Sequence, residues 1–590
     1  MPVKIGLEIH QQLDTAHKLF CACPILKEES FPLSAKRRMR AVAGEMGNVD
    51  PAAFYEAAKG REFTYRFNPR TSCLVELDES PPNVINEEAL RITLQACKLL
   101  HAEPVDEVHV MRKTVADGSA VSGFQRTALV ALGGSIKLKS KMLRIQTVCL
   151  EEDSAPSSGV NEYRLDRLGV PLIEIATEPD IASPGEAREA AEAIGTLLRS
   201  LRVRRGIGSI RQDINVSVPG GTRVEIKGFQ ELERIPDAVS NEIARQESLL
   251  GIKEKLAARK ASAGGTKDVT STFAASESEF IRNALNEGGK VIAGILRGFA
   301  SLLREQCGDR TFGKELSGYA AAYGYGIMHS DEDVAKYGLT REFSKLKEIM
   351  GASQNDLIFI VAGRAPEKAA HAVLERASLA LQGVPKETRV ADGVGSRYTR
   401  PLPGSERMYP ETDVPFTSLG GMKVDVPQTI EERERDLKKV LPPDVAAQLA
   451  RSGSYHDYEN ALKKHKIEPM LVATTLLSTM KELKRKGLGV ERITEDELDK
   501  LFALVESGKI PKSSVTKALE AAALGATVEE AAKALAPLNA KELAQIIEET
   551  VKANPGREES ALMGMVMSRV RGRAEGNEVA KLLKDAMKRK

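Results

Sequence analysis

A carboxylate set in the middle of an apolar run is the first residue that asks for chemistry. Glu174 lies within Val170-Pro171-Leu172-Ile173-Glu174-Ile175, which reads as a buried strand. A buried carboxylate must be paired or must hold a metal, because a bare one is strongly destabilising. Leu150-Glu151-Glu152-Asp153 places a second acidic knot at the end of another apolar strand. Near the start, Ile5, Leu7 and Ile9 alternate with Gly6, Glu8 and His10. A period of two means a half-buried strand, with Glu8 and His10 side by side on its polar face. A hairpin adds more. Arg211, Asp213 and Asn215 alternate with Ile210, Ile214 and Val216; Pro219-Gly220-Gly221-Thr222 turns the chain; Glu225 and Lys227 then alternate with Val224 and Ile226. A phosphate and Mg²⁺ site needs such a mixture: cations for phosphate oxygens, carboxylates and amides for metal and water. The same residues also read as strand-end acids in structural salt bridges and a solvated ladder of mixed charge.

The elements that must carry these residues are legible in outline. Asn86 to Leu100 has helical texture, and Val108 to Arg112 reads as a strand. Asp117-Gly118-Ser119 and Ser122-Gly123-Phe124-Gln125-Arg126 form a Gly/Ser loop. Ser183-Pro184-Gly185-Glu186 starts a helix that runs through Ile194, Leu197, Leu198 and Leu201. Residues 256–272, rich in Ala, Gly, Ser, Thr and Lys, read as a linker or mobile loop. Between about 278 and 395 helices and strands alternate. Beyond about 427 the chain is helical, with capping signals at Thr429/Glu432, Thr494/Glu497, Thr527/Glu530 and Asn539/Glu542. It ends in a basic run: Arg569, Arg571, Arg573, Lys581, Lys584, Lys588, Arg589 and Lys590.

The totals restrict the classes available. At 590 residues the chain suggests several domains. A net charge of +2, with no Trp and 4% aromatics, leaves nucleic-acid contact to local basic patches rather than to a global field or base stacking. No apolar run is long enough to span a membrane. Six cysteines are no disulfide scaffold, and the opening residues do not resemble a signal peptide, so a cytoplasmic setting is expected. No P-loop, dinucleotide fingerprint, H-E-x-x-H or protein-kinase signature occurs.

Leu150-Glu151-Glu152-Asp153, then Leu165-Asp166-Arg167-Leu168-Gly169-Val170-Pro171-Leu172-Ile173-Glu174-Ile175 and Glu178-Pro179-Asp180, with Gly6-Leu7-Glu8-Ile9-His10 upstream, resemble the B/E family of tRNA-dependent amidotransferases. The resemblance covers most of the chain. Phe312-Gly313-Lys314-Glu315-Leu316 and Leu357-Ile358-Phe359-Ile360-Val361 resemble the insertion of bacterial-type aspartyl-tRNA synthetases, which favours the archaeal E branch. Arg407 to Pro415 returns to the family pattern. The implied fold is α+β: a cradle-shaped mixed α/β catalytic domain over 1–277 and 396–426, an inserted α/β domain over 278–395, a helical domain over 427–493 and a helical, tRNA-binding tail over 494–590.

What the resemblance implies chemically is a carbon–nitrogen ligase of the EC 6.3.5 class. ATP would phosphorylate the side-chain carboxylate of Glu-tRNA(Gln), and ammonia would displace the phosphate. By the same resemblance His10, Glu152 and Glu174 would hold Mg²⁺, Glu8 would position water or ammonia, and Arg211 and Lys227 would clamp phosphate. Asp213, Asn215 and Glu225 would orient metal waters or the nucleotide. Ammonia would come from an asparaginase-like D subunit as partner, in a D2E2 heterotetramer built on a homodimer of E. Some family members carry C-x-C and C-x-x-C pairs suited to zinc. Here Cys21, Cys23 and Cys73 are joined by Glu76 in place of the fourth, and no metal is expected. Two rival readings are a non-catalytic tRNA-binding adaptor and an aspartyl-tRNA synthetase relative; intact Glu8, His10, Glu152 and Glu174 speak against the first, and the absence of a class II catalytic signature against the second.

Overall fold

A computed structural model describes residues 2–44, 46–570 and 572–588; Arg571, Arg589 and Lys590 of the basic run lie outside the described residues. The chain divides into two compact units, Met1–Pro427 and Gln428–Lys590.

The first unit is built on a mixed sheet of twelve strands. Its principal strands and helices are, in chain order, β1 (Lys4–Gln12), α1 (Glu87–Leu99), β2 (Val110–Thr114), β3 (Phe124–Leu132), β4 (Met142–Glu152), β5 (Pro171–Thr177), α2 (Pro184–Leu198), β6 (Ile210–Ser217), β7 (Val224–Phe229) and α3 (Ile235–Ala258). A second sheet follows, from β8 (Ser262–Asp268), β9 (Lys290–Arg297), β10 (Met328–His329) and β11 (Leu357–Gly363), with helices α4 (Phe312–Ala321) and α5 (Glu367–Gln382). The chain then returns to the first sheet as β12 (Glu387–Asp392), β13 (Gly395–Pro401) and β14 (Met408–Pro410). The large sheet runs β13-β12-β7-β6-β1-β5-β4-β3-β2-β14.

Every neighbour along that path is antiparallel except one: β12 lies parallel to β7, with Glu225 opposite Thr388. Parallel neighbours need a crossover. Here the crossover is α3 and the whole second sheet with its helices. The greasy face of the large sheet follows the sequence pattern: Ile5, Ile9, Ile173, Ile175, Ile214, Val216, Val224 and Ile226 are fully buried. They pack beneath α1, α2 and α3. Asn86 caps α1 through Ala89 N–H (3.1 Å).

Several expectations are corrected. Residues 256–272 are not a loose linker: α3 continues to Ala258, and Ser262–Asp268 is the edge strand of the second sheet. The small residues serve packing, since a Cβ on Gly264 would lie 2.6 Å from Ile295 Cγ2. The second sheet therefore begins near 262 rather than 278, and β12 and part of β13 belong to the large sheet rather than to a 278–395 domain. In the second unit, Leu498, Leu501 and Phe502 share a core with Leu449, Tyr458 and Leu483, so packing is continuous across 493/494. A separate core of Leu543, Ile547, Leu562, Val566, Val579 and Leu583 holds the last three helices. The reciprocal capping box forms at Thr429, Thr527 and Asn539. At Thr494 the hydroxyl caps as expected, but Glu497 instead accepts from Val528 N–H of a neighbouring helix (2.8 Å).

The crossover is locked to the sheet by buried charge. Arg245 of α3 meets Glu242 (3.0 Å) and Glu315 of α4 (2.7 Å); Arg389 of β12 meets Glu315 (2.9 Å) and Glu387 (2.6 Å); Arg376 of α5 reaches Glu315 (3.4 Å). Tyr319 donates to Glu387 (2.8 Å). All six charged side chains are at most 4% exposed. Losing one partner strands the opposite charge, which destabilises by about 3–5 kcal/mol. Glu315→Gln is therefore expected to lower unfolding stability by that amount in urea titration. Glu305→Gln, at the exposed Lys255 pair, should shift it by less than about 1 kcal/mol. Equal effects of the two would show that the buried cluster carries no special share of stability.

Candidate functional site

The polar face of the large sheet gathers the charged side chains along five adjacent strands. The ladder places His10 of β1 between Glu174 of β5 and Arg211 of β6, and Glu8 opposite Asp213. Asn215 pairs across with Glu225 of β7. His10 Nε2 lies 3.0 Å from Glu174 Oε2. Asn215 donates to Glu8 (3.1 Å). Lys227 bridges Asp213 (2.9 Å) and Glu225 (2.8 Å), and Thr388 donates to Glu225 (2.9 Å). Arg211 comes to the same face and is held by Asp153 (3.1 Å).

Eight of the nine predicted residues are thus brought together. Glu152 is not. It turns to the opposite face, accepts from Arg126 N–H (3.1 Å) and lies beside the Arg126 guanidinium. Glu151 takes the place expected of it: its carboxylate lies 3.6 Å from His10 and is bound by Lys113 and Thr127. The reason is strand parity. Val148 and Leu150 point into the core, so Glu152 shares their side while Cys149 and Glu151 share the other. The alternation of Val148 and Leu150 carries that signal in the sequence. Lys113, which also reaches Glu174 (3.4 Å), has no comparable signal. It arrives from β2, three strands away from β5 in the sheet order.

Charge on this face is finely divided. Burial, then Glu174 and Glu225, push the Glu8 carboxyl up to about 7. Burial works to raise Glu174 too, but Lys113 and His10 outweigh it and hold that carboxyl well below the usual range. Against burial, Lys227, His10 and Arg211 keep Asp213 at about 2. Burial opposes charge on His10, yet its bond to Glu174 leaves the imidazole above its ordinary pKa. The face therefore holds firmly ionised carboxylates beside one carboxyl that titrates near neutrality.

Two donor sets emerge, sharing Glu8: Glu8, His10 and Glu174, and Glu8, Asp213 and Glu225, with the ligand atoms of each set within 4.8 Å of one another. Carboxylate oxygens suit a hard divalent cation, and His10 Nδ1 is buried without a hydrogen-bond partner. A lysine stands against each set, Lys227 at Asp213 and Glu225 and Lys113 at Glu174; the set containing His10 differs in offering a buried nitrogen with no hydrogen-bond partner.

Elsewhere Cys21, Cys23, Cys73 and Glu76 converge with ligand atoms within 4.8 Å. Glu76 already accepts from Cys21 Sγ (3.0 Å) and Cys73 N–H (2.8 Å) and pairs with buried Lys18 (3.0 Å). This carboxylate is satisfied by the protein's own donors.

The family described as "GatB/GatE catalytic domain" matches residues 3–424, and that described as "GatB domain" matches residues 456–587. Proteins named as the E subunit of glutamyl-tRNA(Gln) amidotransferase are similar over nearly the whole chain. Those of Sulfurisphaera tokodaii and Archaeoglobus fulgidus are each 42% identical, covering 99% of this chain and 98% of their own length. That of Methanocaldococcus jannaschii has the same identity and coverage.

Glu8 gives the protein a pH dependence of defined sign. An acid with a raised folded pKa binds its proton more tightly in the folded state. Its contribution is intact below its ordinary value of 4.5 and is lost as pH rises to about 7. In metal-free protein, Glu8→Gln is expected to flatten the fall in melting temperature across that window. Calorimetry at successive pH values measures it; an unchanged slope would mean that Glu8 ionises as freely as in water.

Proposed function

The chain belongs to the GatB/GatE family of amidotransferase subunits, and from that membership we propose that it converts Glu-tRNA(Gln) to Gln-tRNA(Gln) with ATP and ammonia. The observation that carries this reading is the pair of donor sets sharing Glu8 on one sheet face, with Lys227 against one and Lys113 against the other. A carboxylate is a poor electrophile, so it must first be activated. In the first step a carboxylate oxygen of the glutamyl side chain bonds to the terminal phosphorus of ATP as the bond to ADP breaks. In the second, ammonia bonds to the acyl carbon, inorganic phosphate leaves, and the nitrogen sheds a proton.

Phosphoryl transfer depends mainly on positioning and charge neutralisation. Lys227 and Arg211 orient phosphate oxygens. Asp213 and Glu225 fix Lys227, and Asp153 fixes Arg211. Asn215 holds Glu8, which accepts a hydrogen bond from ammonia and aligns it. His10 and Glu174 would hold Mg²⁺, with Glu8 in reach as a third donor; when bound, it supplies charge neutralisation at the phosphate oxygens. In keeping with the family resemblance, ammonia is to come from an asparaginase-like D subunit in a D2E2 assembly. In this reading the large sheet is the cradle, residues near 262–382 are the aspartyl-tRNA-synthetase-like insertion, and the setting is cytoplasmic. No helix among the described residues is long and apolar enough to cross a membrane.

The test is conversion of Glu-tRNA(Gln) by the isolated chain. It should proceed with ammonium chloride but not with glutamine or asparagine. Glu174→Ala should slow it at least about a hundredfold, the scale of losing one charged transition-state contact. Glu151→Gln should slow it as well, whereas Glu152→Gln should leave it near normal. Full activity in Glu174→Ala would overturn the assignment.

The tail provides a second expectation. Lys581, Lys584 and Lys588 are exposed on the last helix, whereas Arg569 is tied to Glu549 (2.9 Å). Replacing the three lysines with Ala should weaken tRNA(Gln) binding and reduce the log–log salt slope by about one per lost phosphate contact. Equal affinity and slope at two salt concentrations would remove the tail from the tRNA interface.

A further inference from the structure

A cavity of about 660 Å³ adjoins the acidic face and shares Lys227 with it. Eight basic and two acidic residues line it. The large sheet contributes Lys227, Arg389, Arg397 and Arg400; the rest of the wall includes Arg310 and Lys314, which belong to the crossover rather than to the sheet. Several of these cations are already matched. Arg400 pairs with Asp117 (2.9 Å), Arg310 with Asp392 (2.6 Å), and Arg389 lies within the buried cluster. Lys59 and Arg61 share the single carboxylate of Glu56. Lys314 and Arg397 make no salt bridge among the described residues, and both are exposed.

Like charges gathered around a hollow repel one another unless an anion enters. A concave wall of one sign also focuses its field on that anion. The position of Lys314 is not loose. Its neighbour Glu315 is pinned by three arginines in the buried cluster, so α4 presents Lys314 to the cavity from a fixed base. Two exposed cations without salt bridges on a rigid wall, within the same hollow as Lys227, have the arrangement of a phosphate clamp.

We propose that this cavity takes the phosphate groups of a nucleotide, and that Lys314 and Arg397 are positioning residues for them, so that the crossover segment completes the reaction cavity. The inference rests on the phosphoryl-transfer reading above and extends it to residues outside the sheet face. Two sources share this chemistry: free ATP, and the 3′-terminal nucleotides of the tRNA.

The experiment uses the full chain with Lys314→Ala, Arg397→Ala and the double variant. ATP with Mg²⁺ is titrated calorimetrically, and tRNA(Gln) is titrated separately by filter retention. If ATP occupies the cavity, the double variant should bind ATP at least tenfold more weakly and show a raised KM for ATP with kcat retained, while tRNA retention stays unchanged. If the RNA end occupies it, tRNA affinity should fall at least tenfold and ATP binding should hold. Either result supports the proposal; affinities for both ligands within twofold of wild type overturn it. Equal melting temperatures, and recovery of binding in Lys314→Arg, separate loss of a contact from loss of fold. A wild-type chain that binds ATP but never amidates Glu-tRNA(Gln) would count against the proposed reaction and not against the cavity.

Discussion

Three arginines and three glutamates, almost wholly removed from water, join the long helix α3, the helices α4 and α5, and the returning strand β12. Each ion would be strongly destabilising alone; together they are neutral in sum and bonded to one another. The constraint is geometric as much as energetic. Such a cluster is satisfied only in one arrangement of its four elements, so a residue-long slip of β12 would leave charges unmatched. Arg376 is the least satisfied member: among the described residues Glu315 is its one ion partner, its Nε and Nη1 find no hydrogen-bond acceptor, and its guanidinium lies over the rings of Phe312 and Tyr319. The second sheet, its helices and the large sheet are thereby held as one body, and β12 takes its place beside β7, where Thr388 reaches Glu225.

On the far side of that strand the same logic is applied with a different outcome. The polar face alternates acids with Lys113, His10, Arg211 and Lys227, and most pairs are matched. One carboxyl is not: Glu8 faces Glu174 and Glu225 while an amide, that of Asn215, donates to it, and its proton is correspondingly hard to remove. The buried cluster sums to neutrality and is structural. The open face leaves a deficit of cations at Glu8, which is the condition under which an added cation gains most.

Much of this is legible in the sequence because period-two alternation reports a strand's two faces directly. The strand from Lys4, the hairpin from Ile210 to Phe229 and the apolar run around Glu174 all form where the pattern puts them. Glu152 is the residue that adjacency to Glu151, taken without parity, misplaces; Val148 and Leu150 already say which of the two acids faces the core. Lys113 is beyond reach, since nothing local says that a lysine on one strand will lie over a glutamate three strands away. The Gly-rich stretch from Ser262 misleads for a related reason. Small residues signal either freedom or close approach, and only the presence of Ile295 across the ladder decides between them. Glu242, Arg245 and Glu315 look in the sequence like an ordinary solvated helix face, because pairing across 70 residues leaves no periodic trace.

The parallel joint between β7 and β12 has a kinetic side. Glu225 and its partner Thr388 are 163 residues apart in the chain. At roughly 5–20 residues per second on the ribosome, β7 is made some 8–30 s before the strand that covers it. During that interval it is a raw edge of a growing sheet, open to any extended segment nearby. Glu225 and Lys227 then act on the unfinished chain, because charged side chains on an uncovered strand discourage wrong pairing. High contact order of this kind also delays closure until the late strand arrives. The charged residues on this strand are thus also those that guard an edge left uncovered for much of the chain's synthesis.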